Sequence, residues 1–474
     1  MSAFPTCAPE SAGLSSAGIL RFVEEMKEKR LHLHSLMILR HGKELCRASF
    51  APYRAEDKHM LFSLSKSFTS TAVGFAVQDG LLSVDDRLID FFPDLLPSAP
   101  CENMQKMRIR HLLTMNTGHT AEPDRKGESW ERNFLRSYVP LEPGTRFLYN
   151  TSATYMLAAV VQKVTGRKLL DYLREKLMDL LGMSPDIWFE ESSTGVATGG
   201  YGLNVRVEDI ARLGQFYLQR GKWEGRQLLP EAWILDAQKP WSDNSFTRQG
   251  ISDWGMGYGY QFWMCIPEHV YRGDGAFGQY CIICPDQDMV IAITSGVEDM
   301  GAVMQGLWNH VLPTVDQPDR DSGAADRLAE ALRAPVLPAV WEETGESVRP
   351  PVIDPAWYGR YKLQCNDMGL EAVEITSDGL SLTRFGTRTD LPFSLDTWQA
   401  VELGAEGGNP RDYFRHAALR AARTAEGLIL HLCFTDTPFE NVLRLRFQPH
   451  GLTLALKQNV GMGDTAVQLI GMRI

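Results

Sequence analysis

The sequence predicts an α/β fold of the α+β kind: an antiparallel sheet flanked by helices and interrupted by a helical insertion, then a small all-β domain. Three observations predict it. Strand-like text opens at SLMILRHGKELCRASF (35–50) and returns after Trp254 in GYGYQFWMC, QYCIICP and MVIAITSG, which are short, β-branched or aromatic, and bounded by turns. Between these blocks, apolar residues recur at helical spacing in segment after segment. From Tyr358 to Ile474 the text is strand-like again, as in GLEAVEITSDGLSLTRF, GLILHLCF and LRLRFQPHGLTLAL, which suits a barrel or sandwich. Strands, helices, strands, helix is the order expected of one sheet whose two halves lie far apart in sequence.

Taken in order, the first two strands turn at His41-Gly42. LFSLSKSFTSTAVGF (61–75) starts a helix that runs to Val77 and stops at Asp79-Gly80, a C-cap. MRIRHLLTMNTG predicts a helix ending near Gly118. NTSATYMLAAVVQKVTG predicts one ending at Gly166, and LLDYLREKLMDLLG, VEDIARLGQFYLQRG and GAVMQGLWNHVL predict three more. Proline and charge thicken after Leu312, placing a first domain at 1–312, a linker with the short helix AADRLAEALRA at 313–354, and the β domain at 355–474.

Composition excludes several function classes. With 474 residues, 44% hydrophobic and 23% charged, the chain is an ordinary globular one with room for two domains. A net charge of −11 with no basic tract argues against nucleic acid and anionic membrane as partners. No apolar run is long enough to span a bilayer, and MSAFPTCAPESAGLSSAG has neither the basic nor the apolar region of a secretory signal, so a cytoplasmic location is expected. Eight cysteines are scattered; Cys281 and Cys284, three apart on a strand, point to opposite faces and read as buried, unlinked thiols. Metal-ligand spacing is absent from the sequence, so neither metal nor organic cofactor is expected.

Chemistry concentrates at Ser63 and Lys66, the one S-x-x-K in the chain. Three residues apart on a helix they share a face, within reach of an extended lysine. A serine at a helix N-terminus also presents its own N–H outward, half of an oxyanion hole. Leu61, Phe62, Leu64, Phe68 and Val73 would desolvate the ammonium, lower its pKa and free an amine to act as base. Tyr149, held by the Pro143-Gly144 turn in PGTRFLYN, is the candidate proton shuttle, favoured as phenolate beside a cation; Tyr155 fits a packing tyrosine better. GDGAFGQY supplies a strand edge approached closely by backbone, with Ala276 as the second oxyanion donor. Its glycines also satisfy G-x-G-x-x-G, but a strand rather than a helix follows, which argues against a dinucleotide site. Trp254, Tyr258, Tyr260 and Trp263 are pocket candidates, though such aromatics are more often core.

FSLSKSFTS, PGTRFLYN and GDGAFGQY, in that order and spacing, resemble the three motifs of the serine β-lactamase-like and penicillin-binding-protein-like hydrolases, especially the class C β-lactamase and family VIII esterase branch. GLLSVDDRLIDFFPD, IRHLLTMNTGH and GGYGLNVRVEDIARLGQFYL are similar to that family's connecting segments, so the resemblance covers about Leu33 to Val311. The β domain resembles the lipocalin-like modules appended to some members. The resemblance implies Ser63 as nucleophile, Lys66 as its partner and Tyr149 as the second-motif tyrosine. Two departures bear on substrate. The second motif's asparagine is either shifted to Asn150 or replaced by Thr151. Gly273 stands where members carry lysine or histidine, and the adjacent Asp274 would repel a carboxylate unless Arg272 compensates; Gly275 completes the motif.

The expected activity is therefore a Ser–Lys–Tyr hydrolase acting through an acyl-enzyme on a small ester or amide, with carboxylesterase favoured. D-amino-acid amidase or peptidase, weak β-lactamase, and an acylated sensor or binding protein that does not turn over remain alternatives. Ser63 and Ala276 would hold the oxyanion; Asn150, Thr151, Arg272, Asp274 and Gly275 would contact substrate. Oligomeric state is not legible.

Overall fold

Strands β1 (Leu33–Arg40) and β2 (Lys43–Ser49) form the hairpin expected at His41-Gly42, where both residues take positive φ (53° and 67°) as a two-residue turn requires. In the computed structural model, which describes residues 4–317, 321–350, 352–377, 379–405 and 412–474, this hairpin joins strands contributed more than 200 residues later. They are β3 (Trp263–Met264), β4 (Tyr271–Gly275), β5 (Gln279–Cys284) and β6 (Met289–Ser295). The sheet order is β2-β1-β6-β5-β4-β3, antiparallel throughout, with Ile38 opposite Ile291 at its centre.

Alternation along these strands fills two cores. Met37, Leu39, Cys281, Ile283 and Val290 face helices α2 (Ser65–Gln78), α3 (Thr151–Thr165) and α4 (Val207–Leu218). Leu36, Ile38, Ile282, Cys284 and Ile291 face α1 (Ser16–Glu28), which contributes Ile19, Phe22 and Met26. Cys281 and Cys284 thus lie on opposite faces, buried and unlinked, as their spacing implies.

Helix α2 is buried almost end to end, yet five of its first seven residues are serine or threonine. Their hydroxyls tie the insertion to the helix. Ser67 donates to the Gln261 carbonyl at 2.9 Å, Thr69 to Gly199 at 2.8 Å and Ser70 to Tyr260 at 2.8 Å, while Ser65 accepts the Leu203 N–H at 3.1 Å. Each buried polar atom is satisfied by backbone that would otherwise need water.

Several elements depart from expectation. The α-helix of LFSLSKSFTS begins at Ser65; Phe62–Leu64 is a 3-10 turn, so Ser63 precedes the helix instead of opening it. The helix in MRIRHLLTMNTG spans only Ile109–Leu113, because Met115 turns at φ 56° and its carbonyl accepts the Leu148 N–H at 2.8 Å. In GYGYQFWMC only Trp263–Met264 is strand; Gly259 is held against the Ala237 carbonyl, where a Cβ would lie 2.0 Å from the oxygen. LLDYLREKLMDLLG gives a short helix, Leu169–Leu173, that widens into a π-turn at Arg174–Met178, and GAVMQGLWNHVL does the same after Gly306. G-x-G-x-x-G lies across a β4–β5 hairpin, the arrangement that denies it a dinucleotide.

The C-terminal strands form one ten-stranded antiparallel, barrel-like sheet. Its first strand, Gly359–Leu363, pairs with its last, Ala466–Arg473, and the two remaining edges meet where Thr389 Oγ1 donates to the Glu402 carbonyl at 3.2 Å. The segment before it is packed rather than free: Ala324–Arg333 lies along α1, and Leu337 N–H bonds the Ala51 carbonyl at 2.8 Å.

Barrel and first sheet meet at a buried charge cluster. Glu440 accepts from His32 Nδ1 at 2.8 Å and from His431 Nε2 at 2.9 Å, and His32 Nε2 reaches Glu343 at 2.7 Å. Burial alone would lower the His32 pKa, but the two carboxylates override it and raise it to about 10. A cation is thereby held in a site that only its partners make tolerable. Glu440→Gln should therefore lower unfolding stability by about 3–5 kcal/mol in chemical denaturation, since it leaves that cation short of its charge partner. His32 is raised above its ordinary 6.5, so its contribution is complete below about 6.5 and lost as pH rises through about 10. The stability difference between wild type and His32→Gln should shrink across that window; a difference independent of pH would contradict the assignment.

Candidate active site

The site is assembled where the 3-10 turn before α2, the loop leading into α3, and the end of β4 converge. Leu61 N–H bonds the Leu203 carbonyl at 3.0 Å, fixing the turn's entry, and Phe62 takes φ 47° to throw Ser63 outward. Lys66 lies one turn on, in the first turn of α2. Its Nζ sits 3.0 Å from Ser63 Oγ and 2.7 Å from the Gly200 carbonyl oxygen. With Lys66 only 1% exposed, burial pushes its pKa down to about 7, Glu122 and Asp274 opposing the shift and Arg125 reinforcing it. A neutral amine placed in this way donates one N–H to Gly200 and turns its lone pair toward the Ser63 hydroxyl.

Tyr149 caps the pair. Its ring centroid lies 4.8 Å from Lys66 Nζ, Trp263 stacks on it at 5.2 Å, and Tyr258 meets it edge-on at 6.1 Å. The phenolate expected beside a lysine does not arise. Burial, reinforced by Asp274, pushes the phenol well above its ordinary value, and a hydrogen bond with Ser63 only partly opposes this. Tyr149 is a neutral hydroxyl at Ser63.

β4 and the turn after it form the opposite wall. Gly275 is pressed against the 3-10 turn: a Cβ there would lie 2.0 Å from the Leu61 carbonyl oxygen. Gly273 is crowded by side chains instead: a Cβ there would lie 2.5 Å from Leu64 Cδ1 and 2.5 Å from Ser67 Oγ, so a larger residue would have to move them. Arg272 lies buried on the same face of β4 as Asp274, opposite to Gly273. Its guanidinium bonds Asp274 at 2.9 and 2.8 Å and the Asp253 carbonyl at 2.9 Å, and packs 4.9 Å from the Trp254 ring. Burial raises the Asp274 pKa, and the paired Arg272 guanidinium opposes that shift.

Ser63, Tyr149, Asp274 and Ala276 line one cavity of about 700 Å³, shared with His119, Phe147, Trp254, Trp263 and the exposed Arg146 and Arg248. Of the four aromatic candidates, Trp254 and Trp263 line it, while Tyr258 and Tyr260 are core. Asn150, Thr151, Arg272 and Gly275 do not line it. Asn150 is fully buried as the N-cap of α3, accepting the Ala153 N–H at 3.1 Å; Thr151 packs near Gly200. Sequence reasoning missed Gly200, whose carbonyl orients Lys66 and whose Cβ would lie 2.5 Å from Thr151 Cγ2; its only trace is the paired glycine of TGGYG. Met462, contributed by the β domain, also went unseen.

Among the described residues, His431, Cys433 and Glu440 bring ligand atoms within 4.8 Å of one another, outside the cavity that Ser63 lines. His431 Nδ1 accepts the Val340 N–H, so its Nε2 carries the proton given to Glu440, and burial keeps the Cys433 thiol protonated. No helix among the described residues is long and apolar enough to cross a membrane.

The profile of the family described as Beta-lactamase matches residues 21–310, and the chain belongs to that family of serine hydrolases. It is similar to a 6-aminohexanoate-dimer hydrolase of Paenarthrobacter ureafaciens, 25% identical over 278 residues, 54% of this chain and 70% of that one. A lovastatin esterase of Penicillium rubens is 23% identical over 160 residues, 28% of this chain and 40% of its own length. The octameric penicillin-binding protein homologue from Pyrococcus abyssi superposes with a TM-score of 0.50 at 18% identity, covering 96% of this chain and 99% of that one, a likeness of fold.

Replacing Gly275 by alanine should lower the unfolding midpoint by an amount equivalent to about 1–3 kcal/mol, because backbone rather than a flexible side chain stands in the way. An unchanged midpoint in thermal or denaturant unfolding would refute the close approach of β4 to the nucleophile's turn.

Proposed function

We propose that this member of the beta-lactamase family hydrolyses small esters through an acyl-enzyme on Ser63, as a carboxylesterase. The observation that carries the reading is the desolvated Lys66 amine, 3.0 Å from Ser63 Oγ and oriented by the Gly200 carbonyl. Lys66 is the general base. It takes the Ser63 proton as Oγ attacks the ester carbonyl carbon, and the N–H groups of Ser63 and Ala276 hold the resulting oxyanion. On collapse, the C–O bond to the alcohol breaks and the Lys66 proton passes to the leaving oxygen through the Tyr149 hydroxyl, which stays neutral throughout. A water then repeats the sequence on the acyl-enzyme, with Lys66 again as base, and releases the acid.

Aromatic walls from Phe147, Trp254 and Trp263 favour an apolar acyl or alcohol group. A second reading, hydrolysis of an amide bearing a carboxylate, is favoured by one observation: Arg272 neutralises Asp274 while Arg146 and Arg248 stand on the cavity's exposed side. The repulsion expected from Asp274 is thereby offset, and the 6-aminohexanoate-dimer hydrolase relative acts on a substrate of that type.

Ser63→Ala should abolish p-nitrophenyl butyrate hydrolysis and fluorophosphonate labelling together; equal turnover by the variant would remove Ser63 from the mechanism. Linear 6-aminohexanoate dimer cleaved faster than the ester would replace the first reading by the second, and labelling without turnover of either would make the protein an acylated binder. Because the base must be neutral, kcat/KM should fall with decreasing pH below an apparent pKa of about 7. A limb near the ordinary lysine value would rule out Lys66 as the base.

A further inference from the structure

The β domain touches the hydrolase unit most intimately through one hairpin loop, between strands Gly427–Phe434 and Glu440–Gln448. Successive residues of that loop each engage something outside it. The Asp436 carbonyl accepts the Met60 N–H at 2.8 Å, three residues before the nucleophile. The Thr437 carbonyl accepts the Tyr53 hydroxyl at 3.3 Å. The Pro438 carbonyl accepts Asn459 Nδ2 at 2.9 Å, and the same amide reaches Gly296 O at 3.2 Å, tying the loop to the end of β6. Glu440 holds His32 and His431.

Phe439 is the residue left over, and its ring faces the active site's backbone. It meets Phe62 at 6.1 Å and 85°, and Phe277 at 5.9 Å and 60° between ring centroids and planes; Phe62 and Phe277 meet each other edge-to-face at 5.3 Å. The three rings close a triangle, backed by Phe414 stacked on Phe439 at 5.6 Å. Phe62 directly precedes Ser63, and Phe277 directly follows Ala276. Both hold positive φ, 47° and 67°, in a region that bulky L-residues avoid and keep only where their surroundings impose it. Edge-to-face packing gives each ring a preferred orientation as well as a contact.

We infer that Phe439 of the β domain is a positioning residue for hydrolysis at Ser63, its ring clamping Phe62 and Phe277 so that the strained backbones beside Ser63 and Ala276 present their N–H groups to the oxyanion. The inference rests on the assignment of those two donors under the proposed function. It gives the appended domain a catalytic task without any of its residues touching the reacting atoms. Oxyanion donors act by preorganisation, and a displacement of about 1 Å in such a constellation costs roughly 10²-fold in rate.

The test compares wild type, Phe439→Ala, Phe439→Leu and Phe439→Tyr in the full chain, with p-nitrophenyl butyrate as substrate and active sites titrated by a fluorophosphonate. Phe439→Ala should lose about 10- to 100-fold in kcat per titrated site with KM changed less than about threefold. Phenylboronic acid, whose boron adds Ser63 Oγ and mimics the oxyanion, should bind the variant more weakly by a similar factor. Phe439→Leu fills the space without a ring and should lose activity at a near-native unfolding midpoint, whereas Phe439→Tyr keeps the ring and should restore kcat. Should Phe439→Ala fail to fold, the leucine and tyrosine variants decide the matter by the same readouts. Unchanged kcat per site and unchanged boronate affinity in Phe439→Leu would overturn the inference while Ser63→Ala remains dead. Activity surviving in Ser63→Ala would instead overturn the functional reading beneath it.

Discussion

A lysine ammonium buried without a carboxylate in contact is an expense that a stable protein avoids unless the uncharged amine is wanted. Among the described residues Lys66 makes no ion pair; its hydrogen-bond partners are a hydroxyl and a backbone carbonyl. Much of the surrounding structure is what this placement requires. The hydroxyls of Ser65, Ser67, Thr69 and Ser70 bind the insertion's loops around the head of α2, excluding water from the amine. Those loops bring the Gly200 carbonyl to the one place from which it can orient Nζ. Gly275 lets β4 approach the backbone ahead of the 3-10 turn so closely that a Cβ would lie 2.0 Å from the Leu61 carbonyl oxygen.

The same desolvation acts oppositely on the neighbouring phenol. Burial lowers the pKa of a cationic acid and raises that of a neutral one, so Lys66 gains a usable base form while Tyr149 is held protonated. One environment thus divides the labour between two groups that would compete as bases in water. Asp274 acts on both groups in the same sense, reinforcing the protonated phenol while opposing the burial that frees the Lys66 amine, and Arg272 pairs with it at 2.8 Å.

The second domain is bound into this arrangement by polar and aromatic contacts rather than by a broad apolar face. Buried His32 is held as a cation by Glu440 and Glu343, and the loop that carries Glu440 also delivers Phe439 to the rings of Phe62 and Phe277, next to Ser63 and Ala276. Met462 completes the cavity wall from the same domain. Barrel and hydrolase unit therefore share both their stability and their site geometry.

Local pattern alone determined several elements and the juxtaposition of two side chains: the antiparallel sheet split across the chain, the hairpin at His41-Gly42, the helix ending at Gly166, the opposed faces of Cys281 and Cys284, and a serine and lysine one turn apart in apolar surroundings. These are legible because periodicity and spacing within about 20 residues specify them. What only the tertiary structure decided involves partners distant in sequence. The early end of the helix at Leu113, the burial of Arg272 against Asp274 and Trp254, the diversion of Asn150 to capping and the neutrality of Tyr149 each depend on burial or on a contact made from another part of the chain. So do the roles of Gly200 and Phe439. A sequence states which groups are present; their charge and their reach are set by what folding places around them.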